Sequence, residues 1–486
     1  MGHDLQELVS RLRPARVAVI GDVMLDRWIS GRVGRVSPEA PIPVLEIEDE
    51  HAMAGGAANV AVKAAGLGAE VALVGVVGDD GEGRALERMV RGAGIDTRGI
   101  VVDRRRPTTV KTRLIARRQQ MLRADREERR PLHRATAARV GRAVHDAVAE
   151  ADVLIVEDYG KGVLTPGIVR AGIEAAAGRG IPVIVDPCCG DFSRYAGATV
   201  ITPNVAEASV GAGFPIRDDG DLERAMRALS GMTGAAVAVT RDARGISLLR
   251  AEDGEVEHVP TEAVDVFDVT GAGDAVAATV ALALASGLGL AEACAVANVA
   301  GRVVVQQFGV GELSLDRLRR EARAVAGPAR KIVDRTTAAA RCAEVRAEGG
   351  TVVFTNGCFD ILHYGHVTLL QEARKQGDFL VVGLNTDASV RRLKGPSRPL
   401  VPEEQRAAML ALYPFVDLVV LFDEDTPLEL VRALRPGVIV KGGDYRPEEV
   451  VGGEDVVSWG GRIHTVPLVD GLSTTRIVDR ARGEGE

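Results

Sequence analysis

A short glycine-containing segment carries the strongest chemical signal in this chain. Gly271, Ala272, Gly273 and Asp274 stand directly before a long run of small residues that is typical of a helix. The first turn of a helix has unpaired backbone N–H groups and a partial positive charge, and glycine lets a phosphate approach both closely. The pattern therefore predicts an anion hole for a transferring phosphoryl group, with Asp274 as the base for the attacking hydroxyl. An ordinary glycine turn capped by an aspartate is the alternative interpretation.

A second group of chemically suited residues lies further along the chain. His363 and His366 are three residues apart and flank Gly365, in a segment that begins with Asn356 and Gly357. Residues at this spacing share a face of a helix, so both imidazoles could donate hydrogen bonds to phosphates while a nucleotide lies against the glycine. Buried structural histidines, or a metal pair that lacks a third ligand, are the alternatives. Two separate phosphate-handling segments predict two reactions.

Length and composition restrict the class of protein. A chain of 486 residues is too long for one compact core and predicts two or three domains. Its 46% hydrophobic and 26% charged residues are typical of a globular enzyme. No apolar run is long enough to span a membrane and no secretory signal pattern is visible, so we expect a cytoplasmic protein without a membrane partner.

Charge and cysteine content exclude further classes. A net charge of −8 and only 3% aromatic residues argue against a nucleic-acid partner. The five cysteines show no CxxC pair and no spacing typical of metal ligands. They therefore predict neither a disulfide framework nor a dedicated transition-metal site. The partners that remain are small-molecule substrates.

Alternating apolar and amphipathic segments predict the elements that position these residues. Short apolar runs at 16–20, 153–156, 183–185 and 236–239 are typical of parallel strands that helices bury on both faces. Prolines punctuate an alternating segment between 33 and 53. This segment predicts a small β lid over a sugar site.

A second series of strands follows a change in composition. Residues 315–347 are rich in Arg, Ala and Glu and show no strand pattern, which indicates a connection. Four new apolar runs predict a second doubly wound domain; they lie at 351–354, 379–382, 416–420 and 438–440. The predicted organisation is a first domain at 1–320, a linker at 321–348 and a second domain at 349–486.

Residues 1–320 resemble the ribokinase-like sugar kinases, because four motifs occur in the order found in that family. The motifs lie at 21–26, 55–61, 202–207 and 271–274. The resemblance implies a doubly wound α/β domain that phosphorylates a sugar with ATP, with Asp274 as base and Gly271 to Gly273 as anion hole. It implies that the sugar is held by Asp22, Asp26, Gly55, Gly56 and Asn59, and that Mg²⁺ and the ATP phosphates are organised by Asn204 and Glu207.

Two basic residues indicate what kind of sugar binds. Lys111 and Arg113 are two apart on a predicted strand, so their side chains share a face and both cations could meet one anion. This arrangement predicts a sugar that already carries a phosphate; a solvated basic edge strand is the alternative. The sequence departs from related kinases after Asp186, where Cys188 and Cys189 occur in place of a common lysine. The strength of ATP phosphate binding is therefore left open.

Residues 349–486 resemble the cytidylyltransferase-like nucleotidyltransferases, whose HxGH histidines fall on His363 and His366. The resemblance implies a Rossmann-like domain that transfers a nucleotidyl group from a nucleoside triphosphate to a sugar or alcohol phosphate and releases pyrophosphate. Orientation, Mg²⁺ and cations then perform the catalysis, with no covalent nucleophile. The residues predicted to bind phosphates are Asn356, Gly357, Lys394, Arg398, Lys441, Ser473, Thr474 and Thr475.

The order of the two halves resembles the family of bifunctional heptose kinases and adenylyltransferases. This resemblance implies ATP-dependent phosphorylation of D-glycero-β-D-manno-heptose 7-phosphate at O1, and adenylyl transfer from ATP to heptose 1-phosphate, with Mg²⁺ accompanying ATP. One alternative is another sugar or polyol phosphate with CTP or GTP as donor. Another is a nucleotide or sugar-phosphate sensor in which one domain has lost catalysis. A homodimer is compatible with each interpretation, and the sequence leaves it open.

Overall fold

The structure, a computed structural model, describes residues 4–116, 119–188, 190–261, 264, 266–307, 311–325, 331–443 and 449–467. The chain divides into two compact units, Met1–Val325 and Ala326–Glu486. The division falls within 321–348, the segment that was predicted as a linker. Throughout the described ranges, no helix has both the length and the apolar character that crossing a membrane requires.

The first unit alternates strands with helices. Its described strands are β1 (Arg16–Gly21), β2 (Val23–Val36), β3 (Pro43–Gly56), β4 (Glu70–Val77), β5 (Asp96–Val102), β6 (Thr109–Ala116), β7 (Gln119–Arg126), β8 (Val153–Glu157), β9 (Val183–Asp186), β10 (Val200–Ile201), β11 (Ala236–Thr240), β12 (Ile246–Leu249) and β13 (Val256–Val259). Its described helices are α1 (Leu5–Ser10), α2 (Ala57–Gly66), α3 (Gly81–Gly92), α4 (Arg134–Glu150), α5 (Pro166–Arg179), α6 (Val205–Ala212), α7 (Asp219–Thr233), α8 (Ala272–Ala285), α9 (Leu290–Val305) and α10 (Leu315–Val325). Short 3₁₀ helices lie at Phe192–Tyr195 and Asp242–Arg244.

A large sheet forms the centre of the first unit. Its order is β13-β12-β11-β10-β9-β8-β1-β4-β5, and the neighbours from β11 to β5 are parallel. Val17 and Val19 pack in a cluster with α2, α8 and α9, whereas Ala18 and Ile20 pack in a cluster with α4, α5 and α7. Because successive strand residues face opposite sides, a strand covered by helices on both faces needs an uninterrupted apolar run. The predicted doubly wound α/β fold is confirmed.

A second sheet, with four strands, forms the lid. This lid contains more strands than the sequence predicted. Its order is β3-β2-β6-β7, with β2 antiparallel to β3 and parallel to β6. The lid was expected only between 33 and 53, whereas β2 already begins at Val23, and β6 and β7 also belong to the sheet. Strand β6 was predicted as a strand but not as part of the lid. Strand β7 was missed because all of it is exposed, so it lacks an apolar run.

The second unit has the same alternation of strands and helices. Its described strands are β14 (Ile332–Val333), β15 (Val352–Gly357), β16 (Phe379–Asn385), β17 (Leu418–Phe422), β18 (Val438–Gly442) and β19 (Arg462–Val466). Its described helices are α11 (Arg335–Ala347), α12 (Tyr364–Arg374), α13 (Asp387–Lys394), α14 (Glu403–Ala411), α15 (Leu428–Leu434) and α16 (Gly453–Ser458).

The sheet of the second unit is parallel in its described pairs, in the order β14-β17-β16-β15-β18-β19. Helices α12 and α14 pack on one face, and α11, α15 and α16 pack on the other. The Rossmann-like fold is confirmed, but four strands were predicted and the described residues contain two more. The short strand β14 and the largely exposed or half-buried strand β19 carry no continuous apolar run.

The segment predicted as a linker is mostly part of the second unit. No strand was expected there, yet β14 pairs with β17. Helix α11 packs Ala338 and Cys342 into the same core cluster as Val352 and Phe354. The segment resembled a connection because α11 buries only these two small side chains, which leaves its composition dominated by polar residues.

Candidate active sites

Three parallel strands of the first unit end side by side at one edge of the sheet. Gly21 ends β1, Glu157 ends β8 and Asp186 ends β9, and the register pairs Gly21 with Glu157 and Glu157 with Asp186. Helix α8 begins beside them, since carboxylate oxygens of Glu157, Asp186 and Asp274 lie within 4.8 Å of one another. Gly271 precedes the helix with a φ of 78°, a left-handed conformation that favours glycine. The structure thus has the helix start that the glycine segment predicted.

Asp274 is buried in the first turn of α8. The side-chain amide of Asn59 donates a hydrogen bond to its Oδ2, and the hydroxyl of Tyr159 donates to its Oδ1 at 3.0 Å. Burial raises the pKa of Asp274, whereas the Asn59 hydrogen bond, the charge of Lys63 and the Tyr159 hydrogen bond lower it. The carboxylate is therefore held in one orientation, as a base for a substrate hydroxyl requires.

Glu157 and Asp186 place two more carboxyl groups beside Asp274. Burial raises the pKa of Glu157 well above its usual range, and the neighbouring charges of Asp186 and Asp274 raise it further. Burial and the charges of Glu207 and Asp274 do the same for Asp186. Among the described residues, Oε2 of Glu157 is buried without a hydrogen-bond partner. Carboxylate oxygens gathered in this way are suited to a divalent cation.

Asp22 has a structural role that the sequence analysis did not assign. It is buried, and its carboxylate accepts hydrogen bonds from the backbone N–H groups of Tyr159 and Lys161 at 3.0 Å and of Val163 at 3.2 Å. These contacts hold the loop that follows β8, which includes Tyr159. Asp22 therefore positions this loop, and its predicted contact with the sugar stays a prediction. A motif alone does not tell whether its carboxylate faces the pocket or the neighbouring backbone.

The lid brings Asp26 and Arg113 together. Arg113 donates a hydrogen bond to Oδ1 of Asp26 at 2.6 Å, and its guanidinium lies 4.8 Å from the centroid of the Trp28 ring. Gly55 approaches Asp26 so closely that a Cβ at this position would overlap its carboxylate. Gly56 then ends β3, directly before α2, the helix that carries Asn59. One of the two cations predicted to bind a phosphate is therefore already paired with Asp26.

Lys111 is the other predicted cation, and it lies opposite Asp26 in the strand register. Its Nζ lies 4.7 Å from the centroid of the Tyr159 ring. Burial lowers the pKa of Lys111, the charge of Asp26 raises it, and the charges of Lys161 and Arg113 lower it. Within the described part of the chain, Lys111 forms no salt bridge with a carboxylate.

Asn204 and Glu207 cap helix α6. Oδ1 of Asn204 accepts the Glu207 N–H at 2.9 Å, and Oε2 of Glu207 accepts the Asn204 N–H at 2.9 Å. This reciprocal pair is a capping box, so both side chains have a structural role that the sequence analysis did not assign. The charge of Glu207 raises the pKa of Glu157 and Asp186, which places Glu207 near the carboxylate cluster. Asn204 is exposed.

In the second unit, His363 and His366 stack at the start of α12. Their ring centroids are 3.9 Å apart and the ring planes differ by 25°. Among the described residues, Nδ1 of each ring is buried without a hydrogen-bond partner. Burial lowers the pKa of His363; burial and the charges of His363 and Lys394 lower that of His366 to about 4. Both rings are therefore mainly neutral near neutral pH.

Lys441 and Asn356 lie near the ends of the neighbouring strands β18 and β15. Nζ of Lys441 donates a hydrogen bond to Oδ1 of Asn356 at 2.5 Å. Burial lowers the pKa of Lys441 to about 8, against an opposing effect of Cys358. Gly357 ends β15, and a Cβ there would lie 3.2 Å from the ring of Phe359. These residues therefore place a half-buried cation at the carboxyl edge of the sheet.

Arg398 is held by a buried carboxylate. It donates a hydrogen bond to Oδ2 of Asp360 at 2.5 Å. Oδ1 of Asp360 accepts the N–H groups of Leu400 at 2.6 Å and Val401 at 3.1 Å. Arg398 was predicted to bind phosphate, and one of its guanidinium N–H groups thus already donates to Asp360.

Lys394 and the segment Ser473 to Thr475 are the remaining predicted phosphate ligands. Lys394 ends α13 with an exposed side chain, and its charge contributes to the low pKa of His366, which places it near the histidine pair. Ser473, Thr474 and Thr475 lie outside the described residues.

Arg406 is a residue that the sequence analysis missed. It is 1% exposed, although arginine is rarely buried without partners. Its guanidinium donates to the carbonyl groups of Cys358 at 2.6 Å and Asn385 at 2.9 Å, and to the carboxylate of Asp387 at 2.6 Å. It therefore joins the loop after β15 to the end of β16 and the start of α13. An arginine in the first turns of α14 gives no local signal of this role.

The carboxylate site of the first unit also contains residues that the sequence analysis did not assign. Glu157 and Asp186 carried a usable signal, because each is an acidic residue that ends an apolar strand, and parallel strands bring such ends to one edge. Tyr159 lies in a loop and Lys63 lies within a helix, so neither residue carried such a signal.

Comparison with known proteins agrees with two different sites. Residues 14–317 match the pfkB family carbohydrate kinases, and residues 354–480 match the cytidylyltransferase-like family. The ribokinase of Arabidopsis thaliana, solved in complex with ribose and ATP, has a TM-score of 0.52 and 18% identity, and the match covers 64% of this chain and 99% of that one. This likeness shows the fold of the first unit. The fold and the sites define a carbohydrate kinase joined to a nucleotidyltransferase.

Other relatives match along nearly the whole chain. Bifunctional protein HldE of Azorhizobium caulinodans is 48% identical over 480 residues, which cover 98% of this chain and 100% of that protein. Bifunctional protein HldE of Caulobacter vibrioides is 49% identical over 469 residues, which cover 96% of each. The chain therefore belongs to the HldE family of bifunctional proteins, whose first part is a pfkB family carbohydrate kinase. The predicted function is confirmed: the chain is a bifunctional enzyme of ADP-heptose biosynthesis, with a heptose 7-phosphate kinase and a heptose 1-phosphate adenylyltransferase.

Gly55→Ala is expected to lower kcat/KM of the kinase reaction by roughly 10- to 100-fold, because the new methyl group displaces the Asp26 carboxylate. Gly34→Ala is the matched control, since Gly34 lies in the same sheet and a Cβ there meets no atom within 4 Å. ADP formation from ATP and heptose 7-phosphate measures the effect. Equal kinase activity in the two variants would contradict the close approach of Gly55 to Asp26.

Proposed function

We propose that Asp274 removes the proton from O1 of the sugar while the first turn of α8 stabilises the transferring γ-phosphoryl group. One observation carries this assignment: Asp274 is a buried carboxylate, oriented by Asn59 and Tyr159, in the first turn of a helix. The anion hole consists of Gly271, Ala272 and Gly273. Backbone N–H groups in a first helical turn have no partner within the helix, so they can donate to developing negative charge.

We propose that Mg²⁺ accompanies ATP at Glu157 and Asp186, with Glu207 nearby. The partnerless Oε2 of Glu157 supports this assignment, because a buried carboxylate oxygen without a donor is suited to a cation. The raised pKa of both carboxyl groups agrees with it, since burial and like charges disfavour ionisation until a cation offsets them. Mg²⁺ binds through carboxylate and phosphate oxygens and keeps part of its water shell. When bound, it neutralises negative charge on the triphosphate. The carboxylates of this chain orient and hold that charge beside Asp274.

We propose that the sugar binds between the lid and the edge of the large sheet. Asp26 and Asn59 contact hydroxyl groups, and Lys111 binds the phosphate that the sugar already carries. Lys111 supports this assignment because it forms no salt bridge within the described residues, whereas Arg113 is paired with Asp26. An ammonium group without a carboxylate partner, in a partly buried position, is suited to a phosphate.

We propose that His363 and His366 bind the triphosphate in the second unit, with positive charge from Lys441 and Lys394. A neutral imidazole has one N–H donor and one acceptor, so each ring can donate to a phosphate oxygen as charge moves onto the leaving pyrophosphate. The partnerless Nδ1 atoms support this role. Attack by the sugar phosphate on the α-phosphorus then needs orientation and charge stabilisation, with no covalent nucleophile. The contribution of Ser473 to Thr475 stays a prediction from the sequence.

We propose small molecules as the partners of both sites, namely ATP and sugar phosphates. A cytoplasmic location and a homodimer stay predictions that rest on the sequence. The cytoplasmic location is inferred from composition. A homodimer is compatible with both units, and neither unit requires it.

Asp274→Asn and His366→Ala are expected to separate the two reactions. Asparagine cannot accept the proton, so kinase kcat falls by about 10³-fold while adenylyl transfer is unchanged. Loss of the imidazole lowers adenylyl transfer by about 10²-fold while the kinase is unchanged. ADP release with heptose 7-phosphate and pyrophosphate release with heptose 1-phosphate are the two measurements, and each variant is the control for the other. Loss of both activities in either variant would contradict separate sites.

Lys111→Met is expected to raise KM for heptose 7-phosphate by about 10- to 100-fold, since a hydrogen bond to a charged group contributes about 1.5–3 kcal/mol. The unphosphorylated heptose is the matched control substrate, because it has no phosphate for Lys111 to bind. Its kcat/KM should be nearly the same in the wild type and the variant. An equal loss with both sugars would mean that Lys111 supports the fold of the lid and does not recognise phosphate.

Adenylyl transfer is expected to slow as the pH rises through about 8, the pKa to which burial lowers Lys441. The ammonium group is present below this pH and lost above it, so phosphate binding weakens in the alkaline range. The measurement is kcat/KM for pyrophosphate release on both sides of this pKa. Lys441→Arg should move the alkaline decrease upward, because a guanidinium keeps its charge. The idea fails if the decrease is at the same pH in Lys441→Arg.

A further inference from the structure

A buried lysine of the first unit has no role in the function proposed above. Lys63 lies on α2, four residues after Asn59, and only 2% of its surface is exposed. Removing an ammonium group from water costs free energy unless charges or hydrogen bonds compensate it, so lysine is almost never buried to this extent without partners. The surroundings of Lys63 therefore indicate what its charge is used for.

The side chain of Lys63 runs beside the glycine turn that begins α8. A Cβ on Gly271 would lie 3.4 Å from Cε of Lys63 and 2.8 Å from Nδ2 of Asn59. The Nζ atom donates a hydrogen bond to the backbone carbonyl of Gly311 at 2.6 Å. This acceptor is a neutral group, and Lys63 forms no salt bridge within the described residues. The charge of Lys63 is therefore left to act on its surroundings.

One acidic group of the site acts on Lys63 directly. Asp274 is the acidic group that raises the pKa of Lys63 against the lowering by burial to about 8, and Lys63 in turn lowers the pKa of Asp274. The carboxyl groups of Glu157 and Asp186 lie beside Asp274. Lys63 thus places one positive charge next to a cluster of buried carboxylates. At the low effective dielectric constant of a protein interior, such an interaction is stronger than it would be in water.

We propose that Lys63 is a positioning residue of the kinase site, which supplies a positive charge beside the Gly271 turn and keeps Asp274 and the anion hole in their working arrangement. This inference rests on the proposed role of Asp274 as the base. The ammonium offsets the carboxylates before a divalent cation and ATP bind. Its hydrogen bond also fixes the backbone at Gly311 to α2. Lys63 acts through Asp274 and Gly271 and does not itself contact the substrate.

The test uses Lys63→Ala and Lys63→Met in the full chain. Both variants are expected to lower kinase kcat by about tenfold or more, with KM for ATP and for heptose 7-phosphate changed by less than about threefold. Ammonium or methylammonium should restore much of the kcat of Lys63→Ala, because a small cation can occupy the space that the side chain leaves. It should not restore Lys63→Met, in which the side chain fills that space. A purely structural role would not respond to added cations.

Three controls accompany these variants. Lys331→Ala removes another lysine that donates to a backbone carbonyl, that of Tyr413 at 2.9 Å, in the second unit; its kinase kcat should equal that of the wild type, with or without ammonium. Tetramethylammonium, which is too large for the vacated space, controls for ionic strength. Adenylyl transfer, measured in every variant, shows that the second unit is folded, and the KM values for ATP and heptose 7-phosphate report on the fold of the first unit.

The outcomes decide between a charge and a packing role. A wild-type kinase kcat in Lys63→Met, or a loss in Lys63→Ala that no small cation restores, overturns the proposal. If Lys63→Ala is too unstable to assay, Lys63→Arg replaces it, and equal losses in Lys63→Arg and Lys63→Met overturn the proposal. Asp274→Asn tests the proposed base separately from the proposed role of Lys63. If the kinase stays active in Asp274→Asn, Asp274 is not the base, independently of the results for the Lys63 variants.

Discussion

Buried negative charge is the constraint on which the rest of the kinase unit depends. The ends of β8 and β9 and the start of α8 bring three carboxyl groups within 4.8 Å of one another. Like charges in a buried site repel and raise one another's pKa, so such a cluster is stable only with donors and cations around it. Asn59, Tyr159 and the partial positive charge of the helix start meet part of this need. The rest is met by the charge of Lys63 and, in the function proposed here, by the cation that accompanies ATP.

The second unit handles phosphate with less fixed charge. Its two histidines are stacked and mainly neutral. The half-buried Lys441 is the residue of this unit whose charge corresponds best to the charged groups of the kinase unit. Both units nevertheless place a helix start at the carboxyl edge of parallel strands: α12 follows the parallel strand β15, and α8, which follows the antiparallel strand β13, begins beside the ends of β8 and β9. In such sheets ligands bind beyond the carboxyl ends of the strands, where helix starts offer N–H groups to anions. Arg406 stabilises this edge in the second unit by donating to the backbone carbonyl groups of Cys358 and Asn385 and to the carboxylate of Asp387.

Local motifs were more reliable for element type than for side-chain role. The apolar runs predicted both parallel sheets and the alternating segment predicted a lid, but not its exposed strand β7, which lacks an apolar run. The Asp22 motif was recognised, yet its carboxylate holds the backbone of the loop after β8. Arg113 was likewise expected to meet a substrate phosphate and is paired with Asp26. Residue type and spacing predicted that charged groups gather at these places, but not which of them pair with each other.

The sequence by itself determined the fold class, the two sites and the helix starts that carry them. It could do so because a glycine turn, an HxGH segment or a buried strand is decided by residues within a few positions of one another. The tertiary structure decided the carboxylate cluster, the orientation of Asp274 by Tyr159, and the burial of Lys63 and Arg406. Those groups come from segments far apart in the chain. They meet only because parallel strands align their ends at one edge and the helices pack against them, and no local pattern encodes that alignment.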